Sequence, residues 1–332
     1  MGEDCAGAVQ FVRDERLDAV LRSAGRIEPL TERDIGDALK RIRRNAPPWR
    51  AQDGAAGMFS LAGAQGKLAL ARVEDGWGRP EGKAASTHII KPPMNPQLPG
   101  VEVNEHICLN LARHLGIPAA ASRVARFDGE VAIVVERFDR VMDSTGVRRL
   151  HQEDTCQALA IPPSGKYQRD GGPGFIEMAG LARTHSADPQ ADLRLIVDAA
   201  AFNWLIGGTD AHAKNYSWFI TTGDRIRMTP LYDLISSLPW HDIADDDLRN
   251  AMSIGGENRF LRIRRDEWSA WAEAMGADPD DLVSHVRELA ELLPVALETV
   301  LAAAADEGLD ADVLEALRAE LTRHAGRCAA LL

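Results

Sequence analysis

Cysteine is scarce and scattered in this sequence: Cys5, Cys108, Cys156 and Cys328 form no CxxC pair. That spacing excludes a zinc knuckle and a disulfide framework and points to a reducing compartment. Basic charge is in deficit, with 38 Lys and Arg against 50 Asp and Glu for a net charge of −12. A surface built throughout as a footprint for DNA or anionic lipid is thereby excluded, although local basic patches are not. Long hydrophobic runs are missing too, since no stretch reaches the roughly 18 apolar residues that a membrane span needs. The opening Met-Gly-Glu-Asp-Cys-Ala-Gly has neither the basic nor the apolar region of a secretory signal. A cytoplasmic protein without a membrane partner is expected. No repeat of fixed period occurs, which sets solenoids aside.

What is present is ordinary globular material, 332 residues of which 45% are hydrophobic and 27% charged, enough for one two-lobed domain or two smaller ones. Helical spacing covers 14–24 and 31–45, the second opening on Thr31-Glu-Arg-Asp34 as a capping box and carrying Ile35, Leu39 and Ile42 on one face. Lys40, Arg41, Arg43 and Arg44 suit the negative end of that helix and support no function by themselves. Short β-like runs follow at 58–61, 67–73, 87–91, 122–127 and 131–137, interrupted by one helix at 103–115. After about 150 helical patterning prevails, at 191–207 and near 266–276, 279–305 and 309–330, with an apolar strand at 216–220. This order predicts an α+β architecture of two unequal lobes, divided near 138–150, with a cleft between them as the ligand site.

The stretch Gly207-Gly-Thr-Asp-Ala-His-Ala-Lys-Asn-Tyr-Ser-Trp-Phe-Ile220 concentrates polar groups between two apolar elements. Asp210 and Asn215 stand five positions apart, a spacing that in a phosphoryl-transfer loop lets a carboxylate meet the attacking hydroxyl while an amide oxygen reaches a metal. Lys214 adds positive charge for phosphates, and His212 reads as a scaffold hydrogen bonder rather than a zinc ligand. A polar helix-to-strand turn with local backbone bonds would show the same residues, so other motifs must decide. Asp233, the single carboxylate of Met228-Thr-Pro-Leu-Tyr-Asp-Leu-Ile235, makes with Asn215 a hard oxygen site suited to Mg²⁺ if both face one cleft. Upstream, Lys91 ends a β-like run where it can hold phosphates. Glu105, in the first turn of the next helix, can fix its direction as in protein kinases. Phe59-Ser60-Leu-Ala-Gly63-Ala-Gln-Gly66-Lys67 joins two runs through small residues whose amides can approach phosphate, though it is not a Walker A loop. Residues 134–140 close the sheet-rich part with backbone groups suited to an adenine edge. His151-Gln-Glu-Asp154 with Gln157 reads as a capped helix start, not a metal site.

Ser60 to Lys67, Lys91, Glu105, Glu136 to Phe138, Asp210 with Asn215, and Asp233 occur in the order of a protein-kinase-like fold, a small β-rich N-lobe with one inserted helix and a larger, mainly α-helical C-lobe. The wording is narrower still. FSLAGAQGK, STHIIKPP, NEHICLNLARHLGI, VVERFDR, HQEDTCQAL, GGTDAHAKNYS, TPLYDLISS and AMSIGGEN resemble the HipA family of bacterial serine/threonine kinase toxins, over about residues 1–325. The resemblance implies ATP and Mg²⁺ as cofactors, Asp210 as catalytic aspartate, Asn215 and Asp233 as Mg²⁺ ligands, and Lys91 as the phosphate-holding lysine beside Glu105. It implies nucleotide contacts from Ser60, Ala62, Gly63, Ala64, Gln65, Lys67, His212 and Lys214, with adenine held by backbone groups of Glu136 and Phe138. Ser60 matches the serine that family members autophosphorylate, a negatively charged addition beside ATP that switches the kinase off.

The implied partners are a HipB-like helix-turn-helix antitoxin, through which alone nucleic acid is reached, and a protein substrate. That substrate is expected to be an aminoacyl-tRNA synthetase such as the glutamyl enzyme, whose phosphorylation halts translation and causes growth arrest and persistence. Residues 1–50 read as the remnant of the family's amino-terminal β-rich subdomain, most of which the chain is expected to lack, with a helical linker; 51–140 read as the N-lobe and 141–332 as the C-lobe. Gly66 stands where the family usually carries glutamate. Two rival activities are a catalytically silent protein that binds an antitoxin or operator, and a small-molecule kinase.

Overall fold

Thr31 starts a helix as its spacing predicts. Its hydroxyl accepts the Asp34 amide, and the Asp34 carboxylate accepts the Thr31 amide at 2.9 Å, which satisfies amides otherwise left over at the start of α2 (Glu32–Arg43). Ile35, Leu39 and Ile42 then share one buried face, packed with Leu68, Leu70, Trp77, Ile90, Phe127 and Val134. These partners belong to a six-stranded antiparallel sheet in the order β2 (Arg26–Leu30), β5 (Gly76–Glu81), β4 (Leu68–Val73), β6 (His88–Lys91), β8 (Glu130–Glu136), β7 (Ser122–Phe127). The computed structural model describes residues 4–12, 14–22, 25–49, 59–60, 65–74, 76–144, 146–240 and 247–332. It divides into two compact units, Met1–Glu102 with Ala120–Gln152, and Val103–Ala119 with Glu153–Leu332.

In the first unit, residues 26–43 are not a linker ahead of the sheet but its edge strand and its covering helix. The basic last turn of α2 is ion-paired, Lys40 with Asp128 at 3.2 Å and Arg43 with Glu130. Strand β5 escapes a reading by periodicity because Gly-Trp-Gly-Arg-Pro-Glu has no alternation. Its Gly78 is instead a close-approach residue, since a Cβ there would fall 2.2 Å from Cγ2 of Ile27 on β2. Pro80 is tolerated because pairing with β4 has ended at Gly78.

A short helix α1 (Asp14–Arg22) precedes this sheet, and ahead of it β1 (Asp4–Cys5) pairs in parallel with β3 (Phe59–Ser60), Cys5 opposite Ser60. So short a ladder needs other support, and the buried Asp4 carboxylate supplies it. That carboxylate accepts the Ser86 amide and Arg140 Nη2 at 2.9 Å each and Arg149 Nη2 at 3.3 Å, with Arg137 Nη1 at 3.5 Å. Arg137 also forks onto Asp139 at 2.8 and 3.0 Å, and Asp139 accepts the Gly7 amide at 2.7 Å. The hairpin β9 (Arg140–Asp143) and β10 (Gly146–Arg149) contributes Arg140 and Arg149.

In the second unit, α3 (Val101–His114) starts directly after Pro99-Gly100, two residues earlier than its spacing predicts. Glu105 therefore lies in the second turn and is buried, not an exposed residue that merely suits the helix dipole. Asn104 explains why this helix belongs with the helical unit rather than with the sheet it interrupts: its side chain accepts the Ser236 amide and donates to the Ser236 carbonyl, both at 2.9 Å. After β11 (Gln152–Asp154) and α4 (Thr155–Ala158) come α5 (Phe175–His185), unread in the sequence, and α6 (Pro189–Ile206). The strands β12 (Ser217–Ile220), β13 (Ile226–Met228), β14 (Arg249–Ile254) and β15 (Glu257–Arg259) lead to α7 (Arg265–Ala274), α8 (Pro279–Asp306) and α9 (Ala311–Ala329). Helix α6 is apolar nearly all round because α5, α8 and α9 cover it. Trp204 of α6 meets Trp268 edge-on at 5.4 Å, and Trp268 meets Trp271 at 5.6 Å. Among the described residues no helix is long and apolar enough to cross a membrane.

Burial raises the Asp4 carboxyl, but Arg137, Arg140 and the bonds from Ser86 outweigh it and hold the group below its ordinary value. Its contribution to stability is therefore complete above the ordinary carboxylate range and is lost as pH falls below it. Asp4→Asn is expected to lower stability at neutral pH by about 3–5 kcal/mol, the cost of leaving buried charge unpaired. In denaturant titrations the deficit against the wild type is expected to narrow below about pH 4.

Candidate active site

Gly207 ends α6 at φ +64°, where a Cβ would fall 2.6 Å from Cγ of Leu238. The chain leaves the apolar core there and enters the polar loop. Thr209 Oγ1 meets Ser237 Oγ at 2.6 Å. The next turn is built on one oxygen: the Asp210 carbonyl accepts the His212 amide at 2.8 Å and Asn215 Nδ2 at 2.9 Å. Because a carbonyl only accepts, it selects the NH₂ end of Asn215 and leaves that side chain's Oδ1 as the acceptor available to a cation.

The Asp210 side chain is 70% exposed and turned outward. Tyr167 Oη donates to its Oδ1 at 2.7 Å. His212, by contrast, is buried beneath the loop, its Nε2 at 2.8 Å from Lys166 Nζ and 3.9 Å from Asp210 Oδ2. A lysine ammonium only donates, so Nε2 is the accepting nitrogen and the proton resides on Nδ1. Burial holds this imidazole below its ordinary value; the Asp210 and Asp233 carboxylates pull the other way, and Lys166 adds to the lowering. Both carboxylates thus lie within electrostatic reach of one buried imidazole.

Asp233 sits at φ +58°, in the left-handed region that a non-glycine residue rarely adopts. Its neighbours pin it: the Leu231 amide donates to the Pro118 carbonyl at 2.8 Å, and Tyr232 Oη donates to the Lys214 carbonyl at 2.9 Å. The apolar run around it suggests a charge buried at a cost, but while Met228, Thr229, Leu231 and Leu234 are buried, Asp233 itself is exposed. Lys214 pairs with the Asp154 carboxylate. Asp154 and Gln157 form the capping box that opens α4, in keeping with the reading of that polar cluster as a helix start. An amide oxygen at Asn215 and a carboxylate at Asp233 are hard donors of the kind Mg²⁺ takes alongside phosphate and water, so in donor chemistry these residues fit that ion.

In the first unit, Lys91 closes β6 and is buried, while Glu105 lies in α3 of the second unit. The Glu136 amide, at the end of β8, donates to the Ala121 carbonyl at 2.8 Å, and Phe138 is half-buried. Ser60 lies in β3 by its backbone; its side chain and Ala62, Gly63 and Ala64 lie outside the described residues. Gln65 Nε2 donates to the Pro92 carbonyl at 3.0 Å, and Lys67 is half-buried. Gly66 has a local reason for differing from glutamate, since a Cβ would fall 2.4 Å from Cγ2 of Ile42 on α2. Tyr167 and Lys166 escaped the sequence reading. The signal available was the Gly171-Gly-Pro173 run after Lys166-Tyr167, which marks a constrained turn beside no obvious motif.

A family model described as HipA-like C-terminal domain matches residues 59–297. The chain belongs to the HipA family. "Putative kinase Y4mE" of Sinorhizobium fredii is 34% identical over 313 residues, which cover 93% of this chain and 73% of that protein. The "Serine/threonine-protein kinase toxin HipA" of Shewanella oneidensis is 31% identical over 315 residues, covering 91% of this chain and 69% of that one. A chain in the solved Shewanella oneidensis complex of HipA, HipB and operator DNA superposes with a TM-score of 0.80 at 30% identity, over 97% of this chain and 75% of that one. The α+β, protein-kinase-like fold class read from the motif order is therefore the one this HipA-like chain has.

Lys214 and Asp154 join the loop to the start of α4, and each is left uncompensated when the other is removed. Lys214→Met and Asp154→Asn are each expected to destabilise the protein. A double-mutant cycle in thermal unfolding is expected to return a coupling of about 1–3 kcal/mol.

Proposed function

We propose that this chain is an ATP- and Mg²⁺-dependent protein serine/threonine kinase of HipA type and the toxin of a toxin–antitoxin pair. The observation that carries the reading is the loop itself, where one carbonyl gathers Asn215 under an outward Asp210 whose carboxylate already accepts a hydroxyl hydrogen at 2.7 Å. A general base must stand within hydrogen-bond reach of the proton it takes, and the 70% exposed Asp210 side chain is open to an incoming hydroxyl.

In the proposed reaction Asp210 orients the acceptor hydroxyl and receives its proton, while Lys91 holds phosphate oxygens and backbone groups of Glu136 and Phe138 hold adenine. Asn215 and Asp233 are the residues that hold Mg²⁺. When bound, Mg²⁺ and ATP supply the transferable phosphoryl group and offset its charge. His212, neutral and buried, serves as the support on which the loop rests. Gln65 and Lys67, with Ser60, Ala62, Gly63 and Ala64, form the loop over the nucleotide, and Ser60 is the site of self-inactivation.

The relatives support the wider role. A serine/threonine-protein kinase toxin at 31% identity and a HipA chain solved with HipB and operator DNA lead us to propose a HipB-like antitoxin as partner. The proposed substrate is an aminoacyl-tRNA synthetase such as the glutamyl enzyme, with arrest of growth as the outcome.

Intact mass before and after incubation with Mg²⁺ and ATP tests this directly. The wild type is expected to gain one phosphoryl group and Asp210→Ala none, with Ser60→Ala also unmodified and both variants folded. Equal transfer by Asp210→Ala would sink the assignment of the base.

A further inference from the structure

Tyr167 is held on Asp210 from three sides. Its own carbonyl accepts the amides of Asp170 and Gly172 at 3.0 Å each, closing the turn that carries it. Gly172 is required for that turn, because a Cβ there would fall 2.1 Å from the Gly165 carbonyl oxygen and 2.8 Å from that of Tyr167. The preceding Lys166 carbonyl accepts the Ala213 amide at 3.3 Å, tying this turn to the Asp210 loop. The following Gln168 accepts the Ser253 amide at 2.7 Å and anchors the turn to β14.

The ring is fixed as firmly as the backbone. Its edge contact with the His212 imidazole is at 5.1 Å, and Lys166 Nζ and the Arg169 guanidinium lie 4.8 and 4.7 Å from its centroid. Burial, and the bond to Asp210, push the phenol up to about 12, so it keeps its proton and remains a donor. Its single proton goes to Oδ1 of Asp210. Oδ2 faces His212 Nε2 at 3.9 Å, and that nitrogen's lone pair is already taken by Lys166, so it has no proton to give.

We infer that Tyr167 is a positioning residue for phosphoryl transfer, fixing Oδ1 of Asp210 so that Oδ2 is presented to the acceptor hydroxyl. The inference rests on the kinase reading and adds to it a residue that acts through Asp210. The proton of the acceptor passes to Oδ2 as its oxygen bonds to phosphorus and the phosphorus bond to the departing ADP oxygen breaks. Tyr167 gives up no proton in the step. A carboxylate held by one charge-assisted bond needs no reorientation when the acceptor arrives.

Tyr167→Phe removes the donor and keeps the ring, its edge contact and its two cation neighbours, so it tests the bond alone. The probe is self-phosphorylation of the full chain, followed by intact mass over time at graded ATP concentrations with Mg²⁺. The limiting rate is expected to fall about ten- to a hundredfold, the size of one charge-assisted hydrogen bond. The ATP concentration for half-maximal rate is expected to stay within about twofold and the melting temperature to be unchanged. An undiminished rate would overturn the inference while leaving the kinase reading intact, and so would a faster one, which would make the phenol a blocking group. A fall accompanied by a parallel loss of ATP affinity or of melting temperature would assign Tyr167 a structural role only and overturn it as well. A wild type that transfers nothing under these conditions would overturn the kinase reading and the inference together.

Discussion

The second unit's chemistry hangs on the carbonyl oxygen of Asp210. By accepting the His212 amide and the Asn215 side chain, it closes the six residues from Asp210 to Asn215 into a turn between helix α6 and strand β12. The rest follows from that turn. The Asp210 carbonyl is bonded within the loop while its carboxylate is exposed. His212 is pulled under the loop, where burial keeps it neutral, and a neutral imidazole can accept from Lys166. Asn215 is oriented without any choice left to it, since the bond it makes permits only one end of the amide to face inward.

This arrangement asks little of side chains in the usual sense of a packed active site. Much of the placement is done by groups near element ends, with Gly207 stopping α6 and the Asn104 side chain fastening α3 to the backbone of Ser236. The apolar core of tryptophans around α6 gives these ends something fixed to project from. Rigid elements carrying a loop that is itself closed by hydrogen bonds is the arrangement expected where charge must be met without reorganisation.

Legibility from the sequence divides along the same physical lines. Where a residue's role follows from local spacing it could be read: Thr31 with Asp34 as a capping box, Ile35, Leu39 and Ile42 as a packed face, Asp154 with Gln157 as a helix start. The loop motif was legible for a similar reason, because Asp210 and Asn215 are joined through a local bond. Strand β5 was not, since its glycines answer to a neighbouring strand and not to their own period. The burial of Glu105 and the exposure of Asp233 depend on which elements cover them. The pairing of Lys214 with Asp154 was not legible because the two lie 60 positions apart. Tyr167 was missed for the same reason, being 43 positions from the carboxylate it serves.

The parallel pairing of Asp4 and Cys5 with Phe59 and Ser60 has a kinetic side. The bonds that hold this strand span up to 145 positions, from Asp4 to Arg149, and every one of its guanidinium partners lies at or beyond Arg137. Closing so long a stretch of chain is entropically unfavourable until the intervening sheet has formed. Strand β1 therefore docks onto a largely assembled unit, and the strand that carries Ser60 gains its neighbour last. In a folding reaction watched by pulsed hydrogen exchange, Phe59 and Ser60 would be among the slowest residues in the first unit to become protected.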